Sequence, residues 1–209
     1  MTKGRATTRR SEGRGTEERR DDAPLEWRPV RSEGVADCRV FKVRRDLSAS
    51  PRDGRMHDFY VLEAPDWINV IPLTDDGRVV LIEQYRHGTR EVSLEIPGGM
   101  VDEGESPAET AAREMLEETG YEAGALVSLG RARPNPAIQD NWIHTFLARG
   151  SRFRRAPVFQ GTEQTRTLLV PVTEIPSLIA DEQITHALVV LAFHKLWLHE
   201  NGYLRGREL

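Results

Sequence analysis

The sequence predicts an α/β fold: a mixed sheet sandwiched between helices, with a short β extension ahead of it. Three observations predict it. Apolar runs of strand length, separated by turn residues, recur between residues 38 and 96. A helix with clear start and stop signals follows them. Further strand runs then lead into two helical segments, and strands mixed with helices in this order imply layered α/β packing.

Residues 1–23 are rich in Arg, Glu, Thr and Gly and nearly devoid of large apolar side chains, a composition expected to stay disordered. Residues 24–64 are expected to form the β extension, with strands at 38–43 and 56–62. Pro51-Arg52-Asp53-Gly54 supplies the turn between them. The main domain is expected over 65–205. It opens with strands at 68–73 and 78–85, joined by Asp75-Asp76-Gly77, a strong hairpin signal. A strand at 91–96 leads into a glycine-rich loop.

The helix after that loop has the clearest local signals. Ser106 is a good N-cap, Pro107 takes the first helical position, and Glu109 completes a capping box. Gly120 is placed to close the helix in a left-handed cap. Ala108, Ala111, Ala112, Met115 and Thr119 fall on one side, widened by Leu116, and should face a core. Strands are then expected at 125–132, 142–148 and 167–172, followed by a short helix at 175–180. The last helix, at 185–200, should bury Leu188, Val189, Ala192, Leu196 and Trp197.

Composition narrows the function classes. A net charge of −4 argues against a general nucleic-acid binder. The single Cys38 excludes an internal disulfide, disfavours a zinc site and suits a reducing cytoplasm. No apolar run approaches transmembrane length and no signal-peptide core is present, so no membrane partner is expected.

The chemistry concentrates in the capped helix and its loop. Glu114, Glu117 and Glu118 stand at i, i+3 and i+4, neighbours on one helix surface. Three like charges there repel one another unless cations sit among them. Mg²⁺ or Mn²⁺ prefers oxygen ligands and keeps waters that a pyrophosphate can replace. Arg113 can offset part of the charge by pairing with Glu105. A plain solvated acidic face would not require the spaced glycines, the arginine and the loop glutamate around it.

At Gly99, Glu105, Arg113, Glu114, Glu117, Glu118 and Gly120 the chain resembles the Nudix hydrolases. Tyr121 departs from the aliphatic residue usual there, which touches packing more than chemistry. The resemblance runs over roughly residues 55–198. Trp67-Ile-Asn-Val-Ile-Pro-Leu73, Val79-Val-Leu-Ile-Glu-Gln-Tyr-Arg86, Leu94-Glu-Ile-Pro-Gly-Gly99, Asn135-Pro136 and His144-Thr-Phe-Leu-Ala148 look like the ADP-ribose pyrophosphatase branch. It implies a Nudix-type α/β/α sandwich that cleaves a nucleoside diphosphate linked to another group, using Mg²⁺ or Mn²⁺. By the same resemblance Glu114 and Glu118 are the main metal ligands, Glu117 is a further one, and the carbonyl of Gly98 joins them. A homodimer built through the N-terminal strands is implied as well.

In that branch the general base comes from a loop well after the helix. Glu163 is the single carboxylate between Asp140 and Glu174 and is the candidate here. With Glu117 and Arg113 it makes up the expected catalytic set. Arg86 follows a strand and suits paired phosphate oxygens. Glu95 is placed for the surroundings of the metal. Trp27, Tyr60 and Trp67 are the aromatic candidates for stacking on adenine. His186 and His194 read as packing or surface residues.

The expected reaction is therefore hydrolysis of ADP-ribose to AMP and ribose 5-phosphate. Its rivals are a broader nucleoside diphosphate-sugar hydrolase, accepting for instance GDP-mannose, and a non-catalytic sensor of the same ligands.

Overall fold

A computed structural model describes residues 24–159 and 164–209 of the 209-residue chain. The expected disorder of residues 1–23 and the candidate base Glu163 both lie outside the described residues. The strands are β1 (Arg28–Asp37), β2 (Lys42–Ala49), β3 (Met56–Glu63), β4 (Trp67–Leu73), β5 (Arg78–Arg86), β6 (Glu91–Glu95) and β7 (Gly98–Met100). Helix α1 (Pro107–Thr119) precedes β8 (Tyr121–Glu122), β9 (Ala125–Ala132), β10 (Ile143–Arg149), β11 (Arg152–Phe153) and β12 (Thr165–Pro171). The helices α2 (Ile175–Ala180) and α3 (Ala187–Glu200) and the short β13 (Arg207–Glu208) complete the chain.

Strands β1, β2 and β3 form a separate antiparallel sheet. Most of its side chains are exposed along β1 and over the first five residues of β3. The main sheet runs β12-β5-β4-β10-β9-β13, with β6 paired to β5 and β7 to β4. It is mixed, because β10 lies parallel to β4 while β5, β9 and β12 pair antiparallel.

The pleat assigns the layers. Ile68 and Val70 on β4, with Phe146 and Ala148 on β10, pack against Ala111 and Met115 of α1. Ile71 and Leu147, one residue out of phase, face the larger core with Val189, Ala192, Phe193 and Leu196 of α3. The same period sends Asn69 to the α3 side, where its Nδ2 donates to the Leu188 carbonyl at 3.0 Å. The result is the α/β/α sandwich expected.

Three expectations are corrected. Residues 38–43 are not one strand: they hold the β1–β2 turn, with Arg39 at φ 67°, and only the start of β2. Their Val40, Phe41 and Val43 give a strand-like apolar content, whereas the true β1 lacks apolar alternation because it covers no core. Trp197 is exposed rather than buried; it stacks between His194 and Tyr203 at centroid distances of 6.0 and 5.9 Å, and Phe193 takes its place in the core. Ala112 also faces solvent.

Candidate active site

The site is assembled where α1 meets the loop that precedes it. The helix begins as its residues dictate. The Ser106 hydroxyl accepts from the Glu109 N–H at 3.3 Å, and the Glu109 carboxylate accepts from the Ser106 N–H at 2.8 Å. It ends at Gly120, whose φ of 74° is left-handed. A side chain on Gly120 would overlap the Arg155 carbonyl, because Arg154 N–H and Arg155 N–H both donate to the Gly120 carbonyl. Tyr121, the atypical position, packs edge-on against Phe153 with centroids 5.6 Å apart.

Arg113 is the hub of the acidic cluster. Its Nε and Nη2 donate to the two oxygens of Glu105, each at 2.9 Å. Its Nη1 donates to Glu114 at 2.9 Å and to Glu117 at 3.4 Å. Buried Thr110 donates its hydroxyl to Glu105 at 2.8 Å, which fixes the far end of the pair. Hydrogen bonds from Arg113 and then Thr110 hold the Glu105 carboxyl below the usual carboxylate range. The same pairing raises Arg113 further above its already high ordinary value.

Glu118 is set differently. It lies against the sheet at 4% exposure, and its Oε2 accepts the Gly98 N–H at 3.0 Å. The two glycines make this approach possible. A Cβ on Gly99 would overlap the Glu114 carboxylate, and one on Gly98 would stand 2.7 Å from the Ile68 carbonyl oxygen. Glycine at 98 lets β7 lie against β4 without a clash of backbone, and glycine at 99 leaves Glu114 in place.

Among the described residues no three His, Cys, Asp or Glu side chains are grouped so as to hold an ion. Arg113 lies between Glu114 and Glu117, and Glu118 turns to Gly98. The donor set is nonetheless three carboxylates on one helix surface beside the loop of Gly98, all hard oxygen donors of the kind Mg²⁺ or Mn²⁺ takes. Ligation would need rotation of the Glu114 and Glu117 side chains off Arg113.

A cavity of about 460 Å³ opens beside this cluster, lined in part by Trp67, Asn69, Arg86, Glu95, Gly98, Glu114 and His186. Arg86 and Glu95 form a two-point pair across β5 and β6. Arg86 Nε donates to Oε1 at 2.8 Å and Nη2 to Oε2 at 2.7 Å. Burial pushes the Glu95 carboxyl up, but the Arg86 hydrogen bonds and charge outweigh it and leave the group below its ordinary value. Asn69 Oδ1 and Gln84 Oε1 are buried at the same wall without a partner among the described residues.

Trp67, Arg86, Glu95, Gly98 and Glu114 line one cavity, whereas Glu117 and Glu118 are not among its lining residues. Trp27 does not line it in its own chain; it packs edge-on against His57 and Phe59 on the N-terminal sheet. Tyr60 is exposed on the same sheet. The cavity is also lined by Asn69 and Gln84, which sequence reasoning did not single out, and by His186, which it read as a packing or surface residue. Asn69 had a signal, an amide inside an otherwise apolar strand; Gln84 had less, since Glu83 stands beside it. His186 had none beyond its place at a helix start.

A sandwich with a glycine-threaded loop locked onto an acidic helix is the architecture of this site. The NUDIX domain matches residues 65–193, and the chain belongs to that family. It is 30% identical over 177 residues to the methanol dehydrogenase activator of Bacillus methanolicus, which covers 84% of this chain and 95% of that one. It is 26% identical over 189 residues to the ADP-ribose pyrophosphatase of Mycobacterium tuberculosis, covering 90% of this chain and 91% of that one. The crystal structure of an ADP compounds hydrolase shares the fold with a TM-score of 0.74 at 23% identity, over 87% of this chain and 98% of that chain.

Proposed function

We propose that this chain hydrolyses the pyrophosphate bond of ADP-ribose, giving AMP and ribose 5-phosphate. The observation that carries the reading is the contact between Glu118 and Gly98, a glycine that lines the same cavity as Arg86. Glu95, Glu114 and the Arg86 guanidinium line one space of diphosphate size, which supports this reading. The similarity to a protein named ADP-ribose pyrophosphatase supports the same substrate.

Glu114, Glu117, Glu118 and the Gly98 carbonyl would hold Mg²⁺ or Mn²⁺. The chemistry such an ion would supply there is polarisation of phosphoryl oxygens and activation of water. Arg86, oriented by Glu95, binds phosphate oxygens of the substrate. Arg113, anchored by Glu105, shields the carboxylates from one another. Glu163 takes the proton of the attacking water. Support for that role comes from Thr165, two residues on, whose hydroxyl donates to the Glu118 backbone carbonyl at 2.7 Å; the start of β12 is thereby tied to the end of α1.

Residues 65–205 form the catalytic domain in this reading, and residues 24–64 pair with a second copy as a homodimer. The sheet of β1, β2 and β3 leaves Trp27, Val30, Val35, Met56, Phe59 and Tyr60 exposed, apolar surface that a partner subunit would cover. No helix among the described residues is long and apolar enough to cross a membrane, and a cytoplasmic location fits the lone cysteine.

The rival is a broader nucleoside diphosphate-sugar hydrolase, favoured by one observation: two of the three aromatic candidates for the base, Trp27 and Tyr60, lie away from the cavity of their own chain. A panel of ADP-ribose, GDP-mannose and related compounds, with products identified, separates the readings. AMP and ribose 5-phosphate formed at the highest kcat/KM support the proposal. Preference for GDP-mannose supports the rival, and binding without turnover supports a sensor.

A further inference from the structure

Glu95 poses an electrostatic problem for the reading just given. Its side chain is 3% exposed, yet it stands in the wall of a cavity assigned to a diphosphate. A bare carboxylate there would repel the substrate. Arg86 meets both oxygens on one edge. Besides the Ser93 side chain, which also hydrogen-bonds the carboxylate, His186 Nε2 faces Oε2 at 4.0 Å.

The orientation of His186 is set by the helix it begins. As N-cap of α3, its Nδ1 accepts the Leu188 N–H at 3.2 Å. A ring nitrogen that accepts carries no hydrogen, so in the neutral ring the hydrogen resides on Nε2. The cap thus selects the tautomer that points an N–H toward Glu95. The first turn of α3 is pinned from the sheet as well, since Asn69 donates to the Leu188 carbonyl at 3.0 Å. Helix, cap and strand together aim one ring nitrogen at one carboxylate oxygen across 91 residues of sequence (186 minus 95).

We propose that His186 is a positioning residue for substrate binding: its Nε2–H screens Glu95 so that the carboxylate serves Arg86 without repelling the substrate diphosphate. The inference rests on the diphosphate reading of the cavity. It assigns to His186 an effect on affinity rather than on bond cleavage, exerted through Glu95 and not by contact with the substrate.

The test separates the cap from the screen. His186→Asn keeps a side-chain oxygen to accept the Leu188 N–H, asparagine being a favoured N-cap, but is too short to reach Glu95. With ADP-ribose and Mg²⁺, KM is expected to rise on the order of fivefold, the worth of one modest polar contact, with kcat within twofold of wild type. The affinity for ADP, read by calorimetry, should fall by the same factor. In a Glu95→Gln background there is no charge to screen, and adding His186→Asn should change neither KM nor the ADP affinity.

An effect that persists in the Glu95→Gln background would overturn the proposal by showing that His186 acts independently of Glu95. So would an unchanged KM in the single variant, or a loss confined to kcat or to thermal stability. If the wild-type protein neither binds ADP nor cleaves ADP-ribose, the diphosphate reading falls and takes this inference with it. A working wild type with an indifferent His186→Asn defeats this inference alone.

Discussion

The carboxylate of Glu118 accepts the backbone N–H of Gly98 at 3.0 Å, joining the middle of the sandwich to the last turn of α1. That contact makes a loop and a helix into one site. It also positions Glu118 next to the backbone of a residue whose carbonyl belongs to the proposed donor set.

Glu118→Gln should remove activity without removing the fold. The glutamine amide oxygen can still accept the Gly98 N–H, so the thermal midpoint should stay within a few degrees, roughly the shift of a 1 kcal/mol change. Loss of the charge should cut kcat by about 10²-fold or more, beyond what outer partners of a metal contribute. Steady-state kinetics and a melting curve on the same preparation check both halves.

The two glycines should fail in different ways. Gly98→Ala drives a methyl against the Ile68 carbonyl, which is backbone and cannot move aside. A loss of about 1–3 kcal/mol in urea denaturation is expected. Gly99→Ala meets the end of the Glu114 side chain, which can rotate away. Stability should change by less than about 1 kcal/mol, while the Mg²⁺ concentration for half-maximal activity rises about tenfold or more.

Glu163→Gln should lower kcat by about 10²-fold while leaving KM near its original value, as expected when a general base loses its charge. Unchanged kcat in a steady-state assay would move the proton transfer to another group.

Lys195 gives a prediction about stability and pH. It is 8% exposed on α3, and its Nζ has no hydrogen-bond partner among the described residues. Burial holds its ammonium below the ordinary lysine value of 10.5. Because the unfolded chain then binds the proton more tightly, folding stability rises with pH from the depressed folded value up to 10.5 and is lower below that window. Lys195→Met should therefore stabilise the protein at neutral pH by about 1 kcal/mol or more. The gain should shrink as denaturation is repeated at rising alkaline pH.

What the sequence disclosed, and what it hid, divides by range. The ends of α1 were legible because Ser106, Pro107, Glu109 and Gly120 act within a few residues of themselves. The turn at Asp75-Asp76-Gly77 was legible for the same reason, with Gly77 at φ 78°. Strand β1 was not, because neither of its faces covers a core and its residues carry no period. Trp197 misled because helical spacing shows which residues share a face, not how far the core reaches across it. In the site, Arg113 and Glu105 were readable as a pair because they flank one helix turn and its cap. The pairing of Arg86 with Glu95, and the approach of His186 to them, depends on three separate elements meeting, which no local pattern encodes.

The most direct test of the account is hydrolysis of ADP-ribose by the purified protein as Mg²⁺ is titrated in after chelation, with wild type and Glu118→Gln in parallel. The account predicts no turnover in chelator, a saturable rise with Mg²⁺ yielding AMP and ribose 5-phosphate in equal amounts, and almost none of this in the variant. Turnover that ignores the chelator, or wild type and Glu118→Gln responding alike to Mg²⁺, would contradict it.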